Sequence, residues 1–162
     1  MIKKRLKLYL LIVSLFFLTN MIGCSNNTIR YKKELSKNTE QLLQEIEKIN
    51  VKLVEINEMP EGTNYTVKLQ NNSSYLVKHN ILFVSLPIKT KNGYKDNSFK
   101  IEAVSNKLNI YPNQEIILNA FAPIEIYRNN DLIDNMSPDY KIIGYFNEVK
   151  EMNMFTRGGS LR

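Results

Sequence analysis

Apolar residues follow three different patterns along the chain. Leu8 to Leu18 is an apolar run of eleven that is broken only by Ser14. Residues 35–56 then place apolar side chains at alternating spacings of four and three, which is the repeat of an amphipathic helix. From Gly62 onwards, apolar and polar residues alternate or form short apolar runs between turn residues, which is typical of β-strands. The pattern therefore predicts an apolar N-terminal segment, one helix and a body of strands.

The N-terminal segment has the features of an export signal. It begins with MIKKRLK, in which four of seven residues are basic, and its apolar run ends at the polar pair Thr19-Asn20. Eleven helical residues extend about 16 Å, roughly half of a hydrocarbon core of about 30 Å. A basic start and a short apolar run indicate a secretory signal, and an uncleaved membrane anchor is the less favoured alternative.

The residues after this run resemble the lipobox of bacterial lipoproteins, whose usual pattern is an aliphatic residue, a small or aliphatic residue, Gly or Ala, and then Cys. The four residues here are Met21, Ile22, Gly23 and Cys24, with Met21 in place of the commonest Leu. The resemblance implies a diacylglyceryl thioether on the Cys24 sulfur and removal of residues 1–23 as a signal peptide. Two acyl chains, at about 0.8 kcal/mol per buried CH₂, suffice for stable anchoring in the lipid bilayer. The predicted location is the extracytoplasmic face of the cell membrane.

Charge and composition narrow the class of protein. The 22 basic and 16 acidic residues give a net charge of +6, but without the four basic residues of the predicted signal, 18 basic and 16 acidic residues leave +2. This charge does not indicate nucleic-acid binding. The single Cys excludes an intramolecular disulfide, and 162 residues leave room for one compact domain plus an extension. A composition rich in Asn, Lys and Ile and poor in Ala resembles that of proteins from AT-rich bacterial genomes, which are commonly Gram-positive.

A helix is predicted between the anchor and the strands. Residues 24–27 are predicted to be a lipid-anchored tether and residues 28–48 a helical stalk. Packing of the stalk on its own domain is favoured over a coiled coil, for which three heptads are the lower limit. A strand is predicted to follow as far as Met59, because the sequence after Ile49 also alternates. The apolar stripe of the helical repeat consists of Leu35, Thr39, Leu42, Ile46, Ile49, Leu53 and Ile56.

The body, residues 49–149, is predicted to be mainly β, an immunoglobulin-like antiparallel sandwich of about seven strands. Turn residues recur every 8–12 positions or so, which is the spacing expected of such a sandwich. Residues 81–88 are almost all apolar and are predicted to be a central strand covered on both faces. Residues 150–162, with their adjacent glycines, are predicted to be a flexible tail.

Three segments of the body resemble bacterial immunoglobulin-like domains of the FxLYD type. They are the turn at 71–73, the strand at 81–84 and the segment 110–115 before an apolar strand. The FxLYD tetrapeptide itself is absent, and Asn113 stands where the family has Gly. The resemblance covers residues 64–149 and implies a non-catalytic adaptor or binding module.

No motif of a known catalytic site is present. The sequence lacks Gly-x-Ser-x-Gly, His-Glu-x-x-His and Gly-rich phosphate loops, and its one histidine, His79, is expected at the surface. The chain is therefore predicted not to be an enzyme and to need no cofactor.

Two groups of polar residues are candidate contact sites. Asp131, Asp134 and Asp139 lie in one polar loop and offer carboxylates to a hard cation or to a partner, although their spacing is not that of a calcium loop, and a solvated turn is the preferred interpretation. Tyr94, Tyr111, Tyr127 and Tyr145 are further candidates, because tyrosine is enriched at interfaces, although alternation favours core or rim positions for most of them.

The sequence as a whole predicts a membrane-anchored extracytoplasmic lipoprotein whose domain binds a protein or another envelope component. The alternative is a structural assembly protein that oligomerises through its N-terminal helix as a coiled coil. The identity of the partner is left open by the sequence.

Overall fold

A computed structural model describes residues 39–106 and 108–161. The predicted signal, the lipobox residues Met21 to Cys24, the tether and the first part of the predicted stalk lie outside the described residues. The chain divides into two units, residues 1–43 and residues 44–162. Residues 39–47 are helical, and every described strand belongs to the second unit.

The described residues are mainly β, as predicted, and contain ten strands rather than about seven. Four of these strands have only two or three residues, which is too short for alternation to be recognised in a sequence. Short 3₁₀ turns lie at Ile124–Ile126 and Glu151–Asn153. The strands are β1 (Ile49–Met59), β2 (Gly62–Asn71), β3 (Val77–Ser85), β4 (Ile88–Thr90), β5 (Gly93–Lys95), β6 (Ile101–Glu102), β7 (Asn109–Ile110), β8 (Glu115–Pro123), β9 (Asp139–Phe146) and β10 (Met154–Ser160).

The strands form two principal antiparallel sheets and a separate hairpin. The first sheet has the order β1-β2-β8, and the second has the order β10-β9-β3-β6, with β7 also paired to β3. The hairpin β4-β5 closes where Thr90 pairs with Gly93. The chain crosses repeatedly between the sheets, because β8 returns beside β2 and β9 returns beside β3. A bridge between Val104 and Asn119 also joins them.

Each principal sheet buries one face. In β2 and β8 every second side chain is buried, and the same alternation recurs in β9. Two sheets that each bury one apolar face give a sandwich-like arrangement, because neither face can leave water without the other. The apolar side chains of β2, β3, β8 and β9 that have no exposed area are Tyr65, Val67, Leu69, Leu82, Val84, Leu118, Ala120, Ala122 and Ile142.

The segment after the helix is a strand, which confirms the prediction for residues 49–59. Ile49 and Val51 are buried in the sandwich, and a register shift between Leu53 and Glu55 leaves Val54 exposed. Burial of apolar side chains against β2 therefore prevails over the helical repeat. The assembly alternative places the coiled coil over residues 35–56. Because β1 starts at Ile49, residues 49–56 form a strand and cannot belong to a coiled coil.

The prediction of a flexible tail for residues 150–162 is wrong, because Met154–Ser160 is a strand paired with β9. Phe155 is only 2% exposed, and its ring stacks on that of Phe146 with centroids 4.5 Å apart. Gly144 makes this possible, since a Cβ there would lie 3.0 Å from the Phe155 ring. Arg157 then donates a hydrogen bond of 2.8 Å to the Ile46 carbonyl.

The prediction that residues 81–88 are covered on both faces is also wrong. β3 ends at Ser85, and Ile81 is 37% exposed. Leu82 and Val84 face the core, whereas Ile81 and Phe83 point to the other side of the sheet. Within the described residues no further layer covers that side, so an apolar surface is left open.

A buried carboxylate fixes the end of the helical segment to the β-domain. Glu45 is 7% exposed, and its side chain accepts hydrogen bonds from the backbone N–H and the hydroxyl of Ser74, at 2.7 and 3.0 Å. The Lys48 ammonium lies 2.6 Å from the same carboxylate. These donors lower the pKa of Glu45, the Lys48 contact most, against the opposing effect of burial.

Candidate functional site

The open side of the second sheet is the candidate site, and we call it the outer face. Side chains alternate along each strand, so the residues of the outer face follow from the pairing of β10, β9, β3 and β6. They form three rows across the sheet: Gly158–Lys141–Phe83–Glu102, Thr156–Ile143–Ile81 and Met154–Tyr145–Lys78.

The centre of the outer face is apolar. Phe83, Ile143 and Tyr145 are half-buried, and Ile81 and Met154 are 37% and 48% exposed. Neighbouring rows lie about 7 Å apart, so these five side chains form one continuous patch. An exposed apolar patch rimmed by polar residues indicates an interaction surface rather than a solvated one.

Opposite charges lie on either side of Phe83 in the first row. Lys141 on β9 and Glu102 on β6 are both exposed, and each is one strand, about 4.8 Å, away from β3. Neither residue forms an ion pair with another described residue. Both charges are therefore available to a molecule that covers Phe83.

A polar hollow of about 460 Å³ opens beside the first row, and its lining includes Ser85, Lys100, Asp139 and Lys141. Lys100 bridges two groups there, since its ammonium lies 2.6 Å from the Asp96 carboxylate and 3.3 Å from the Ser85 hydroxyl. The strand β10 contributes two adjacent glycines to the lining. Two ammonium groups and two carboxylates balance, which suits a mixed polar surface better than a single anion.

A smaller hollow of about 300 Å³ lies on the opposite side of Phe83, on the β6 side of the sheet. Its lining includes His79, Ile81, Glu102 and Leu108. A register shift between Lys78 and Ile81 puts His79 in the left-handed region, with φ of 45°, and its N–H donates to the Leu108 carbonyl at 2.9 Å. A β-bulge of this kind bends a strand locally, and His79 in this bulge lines the hollow.

The structure does not group the three aspartates that the sequence suggested as a cation or partner loop. Asp131 is exposed, Asp134 is 6% exposed, and Asp139 begins β9 and lines the polar hollow. Across residues 39–106 and 108–161, no three His, Cys, Asp or Glu side chains are grouped so as to hold a metal ion.

Asp134 instead stabilises its own loop. Its carboxylate accepts a hydrogen bond of 3.1 Å from the Met136 N–H. Burial raises the pKa of Asp134, but the Tyr94 hydroxyl, backbone N–H groups and the Lys89 charge together lower it below its ordinary value. The Tyr65 hydroxyl donates to the Asn135 carbonyl at 2.7 Å and ties the loop to the core.

The predicted anchor residue Cys24 and its lipobox neighbours lie outside the described residues, so their roles stay predictions. The part of the chain that the structure describes has no helix that is both long and apolar enough to cross a membrane.

Sequence reasoning missed most of the outer face. The two-residue period of a strand puts Ile143 and Tyr145 on the opposite side of β9 from Ile142 and Phe146, but it does not show which residues lie beside them. Phe83, Lys141 and Glu102 become neighbours only through strand pairing between distant segments. The sequence signal for this face was a charged residue, Lys141, within an otherwise apolar strand.

No protein-family model matches the chain, and no curated protein matches it significantly. The outer face and its two hollows are therefore the basis on which a function is inferred.

Proposed function

We propose that this protein is a membrane-anchored extracytoplasmic lipoprotein whose β-domain is a non-catalytic binding module for a protein. The outer face of the second sheet is its binding surface. The observation that carries this proposal is the open apolar patch around Phe83, which a soluble partner domain would cover. A flat surface of apolar centre and charged rim is the usual anatomy of a protein interface.

The anchor part of the proposal depends on Cys24. Changing Cys24→Ala should abolish incorporation of labelled palmitate and leave unprocessed precursor or protein released to the medium. Ser25→Ala is the matched control and should leave labelling and processing intact. A native polypeptide that begins with Met1 and has no added acyl mass would contradict the anchor.

We also propose that the sandwich is immunoglobulin-like. In the letter nomenclature of immunoglobulin domains, β1, β2 and β8 correspond to strands A, B and E. β3, β9 and β10 correspond to strands C, F and G. The orders A-B-E and G-F-C are those of the two sheets of an immunoglobulin sandwich. This agreement supports the resemblance that the sequence suggested, and it puts the outer face on the C-F-G sheet.

The binding part of the proposal is tested by crosslinking in living cells. A photoreactive phenylalanine analogue at Tyr145 lies on the outer face, and the same analogue at Phe121 is a control on the outward side of the first sheet. We expect crosslinked protein from position 145 and none from position 121. Equal yields from both positions, or no product from position 145, would contradict a binding role for this face.

A further inference from the structure

We propose that the partner of the outer face is a second copy of this chain, which docks face to face about a two-fold axis parallel to the strands above Phe83. This inference rests on the proposed function, because it names the protein that the outer face binds. Three features of the outer face support it: the arrangement of its charges, the position of the smaller hollow and the direction of the strands.

The charges of the first row are self-complementary. Rotation by 180° about an axis that runs along β3 exchanges the positions of β9 and β6, because each lies one strand from β3. Lys141 of each copy is thereby placed over Glu102 of its mate, which gives two symmetry-related ion pairs around a Phe83–Phe83 contact. Because the axis runs along β3, it also brings Lys78 of one copy close to Lys78 of the other, and this single like-charge contact opposes the two ion pairs. An in-plane axis across the strands would instead put Lys141 over Lys141, which electrostatic repulsion opposes.

The smaller hollow lies where the same rotation brings the Tyr145 side chain of the other copy. It opens on the β6 side of β3, at the level between Ile81 and Lys78. On the β9 side, Ile143 and Tyr145 pair with these two residues and therefore project at the same level. Because the axis keeps the level along the strand and exchanges the sides, Tyr145 of each copy projects over the 300 Å³ hollow of its mate.

The direction of the axis fits two chains that are anchored in one membrane. A two-fold axis parallel to the strands leaves corresponding strand ends on the same side of the dimer. The start of β1, and with it residues 44–48, therefore lies at the same end of both copies. Both β-domains are then entered from the same end, as anchoring of both chains in one bilayer requires.

The contact is small, which predicts a weak dimer. Three strands of about 4.8 Å spacing and seven residues of about 3.4 Å rise give a footprint of roughly 350 Å² per copy, below the roughly 800 Å² per partner of a stable complex. Anchoring confines both copies to a thin layer and raises their effective concentration, so a weak contact suffices there.

The test is sedimentation equilibrium of the full-length chain in density-matched detergent over a concentration series. K141E and E102K each set like charges against each other in both ion pairs, and we expect each to weaken dimerisation at least about tenfold. The double variant K141E/E102K exchanges the charges and should restore the dimer. An equimolar mixture of the two single variants should form a heterodimer. K68E and E115K, which alter an exposed ion pair of 3.5 Å on the first sheet, are the matched controls and should dimerise like the native chain.

Several results would overturn the second copy as partner. They are a native chain that stays monomeric at every concentration, single variants that dimerise like the native chain, and a double variant that stays as weak as either single one. The crosslinker at Tyr145 separates this failure from that of the proposed function. A product with a different protein retains the binding role and overturns the dimer, whereas a product of twice the chain mass supports the dimer.

Discussion

The contact between Glu45 and Ser74 leads to a quantitative prediction about stability. Glu45→Gln keeps the size of the side chain and one carbonyl oxygen but removes the negative charge that Ser74 and Lys48 bind. A hydrogen bond to a charged group contributes about 1.5–3 kcal/mol, against about 1 kcal/mol for a neutral pair. In the variant, both hydrogen bonds from Ser74 go to a neutral acceptor instead of a charged one. The half-exposed Lys48 contact adds little to the difference. Each of the two bonds loses about 0.5–2 kcal/mol, so we expect the free energy of unfolding to fall by about 1–4 kcal/mol.

The same contact predicts how stability depends on pH. The pKa of Glu45 is lower in the folded chain than its ordinary value of 4.5. Its contribution to stability is therefore fully present above that value and is lost as the pH falls through the lower pKa of the folded state. The Glu45→Gln variant lacks this titration, so the difference in stability between it and the native chain should shrink on acidification.

Urea unfolding, followed by circular dichroism at neutral and acidic pH, measures both effects. Glu47→Gln is the matched control, because Glu47 is a neighbouring but exposed carboxylate that lies 3.2 Å from Arg157. Loss of this exposed ion pair should lower the free energy of unfolding by less than about 0.5 kcal/mol. If the Glu45 and Glu47 variants unfold at the same urea concentration, the argument for a buried, charge-dependent contact is refuted.

Three further substitutions test the β-domain by the same unfolding assay. Phe155→Ala removes a buried ring from the core, so it should lower the free energy of unfolding by about 3–4 kcal/mol and raise amide exchange in β10. A loss of stability below about 1 kcal/mol would show that β10 is dispensable. Asn113 has φ of 64°, so Asn113→Ala should cost about 1 kcal/mol while Asn113→Gly stays within about 0.5 kcal/mol, and equal effects would argue against backbone strain. Asp134→Asn should cost about 1–2 kcal/mol at neutral pH and less in acid, because the pKa of Asp134 is lowered in the folded state; an effect independent of pH would rule out its charge as the cause.

Local patterns in the sequence predicted the strands that have clear alternation and failed for the others. Tyr65, Val67 and Leu69 alternate with polar residues and mark β2 without any knowledge of its partners. β10 has one core residue, Phe155, followed by a threonine, an arginine and two glycines, so its order depends on pairing with β9 rather than on its own pattern.

Local sequence patterns could not predict the outer face, for a different reason. Its rows depend on the register between β9, β3 and β6, and a shift of one residue would send each side chain to the other side of the sheet. The sequence showed that Ile143 shares a side with Tyr145. It did not show that Lys141 and Glu102 would flank Phe83, because that arrangement arises only from tertiary pairing.

The position of Phe155 has a consequence for the order of events in the cell. The ring that completes the core lies in β10, the last strand of the β-domain, and the Arg157 side chain that holds the Ile46 carbonyl comes two residues later. Ribosomes deliver the N-terminus first, so neither contact can form until β10 itself has been synthesised. A polypeptide exported as we propose would thus stay unclosed during translocation and complete its β-domain only after β10 had reached the outside.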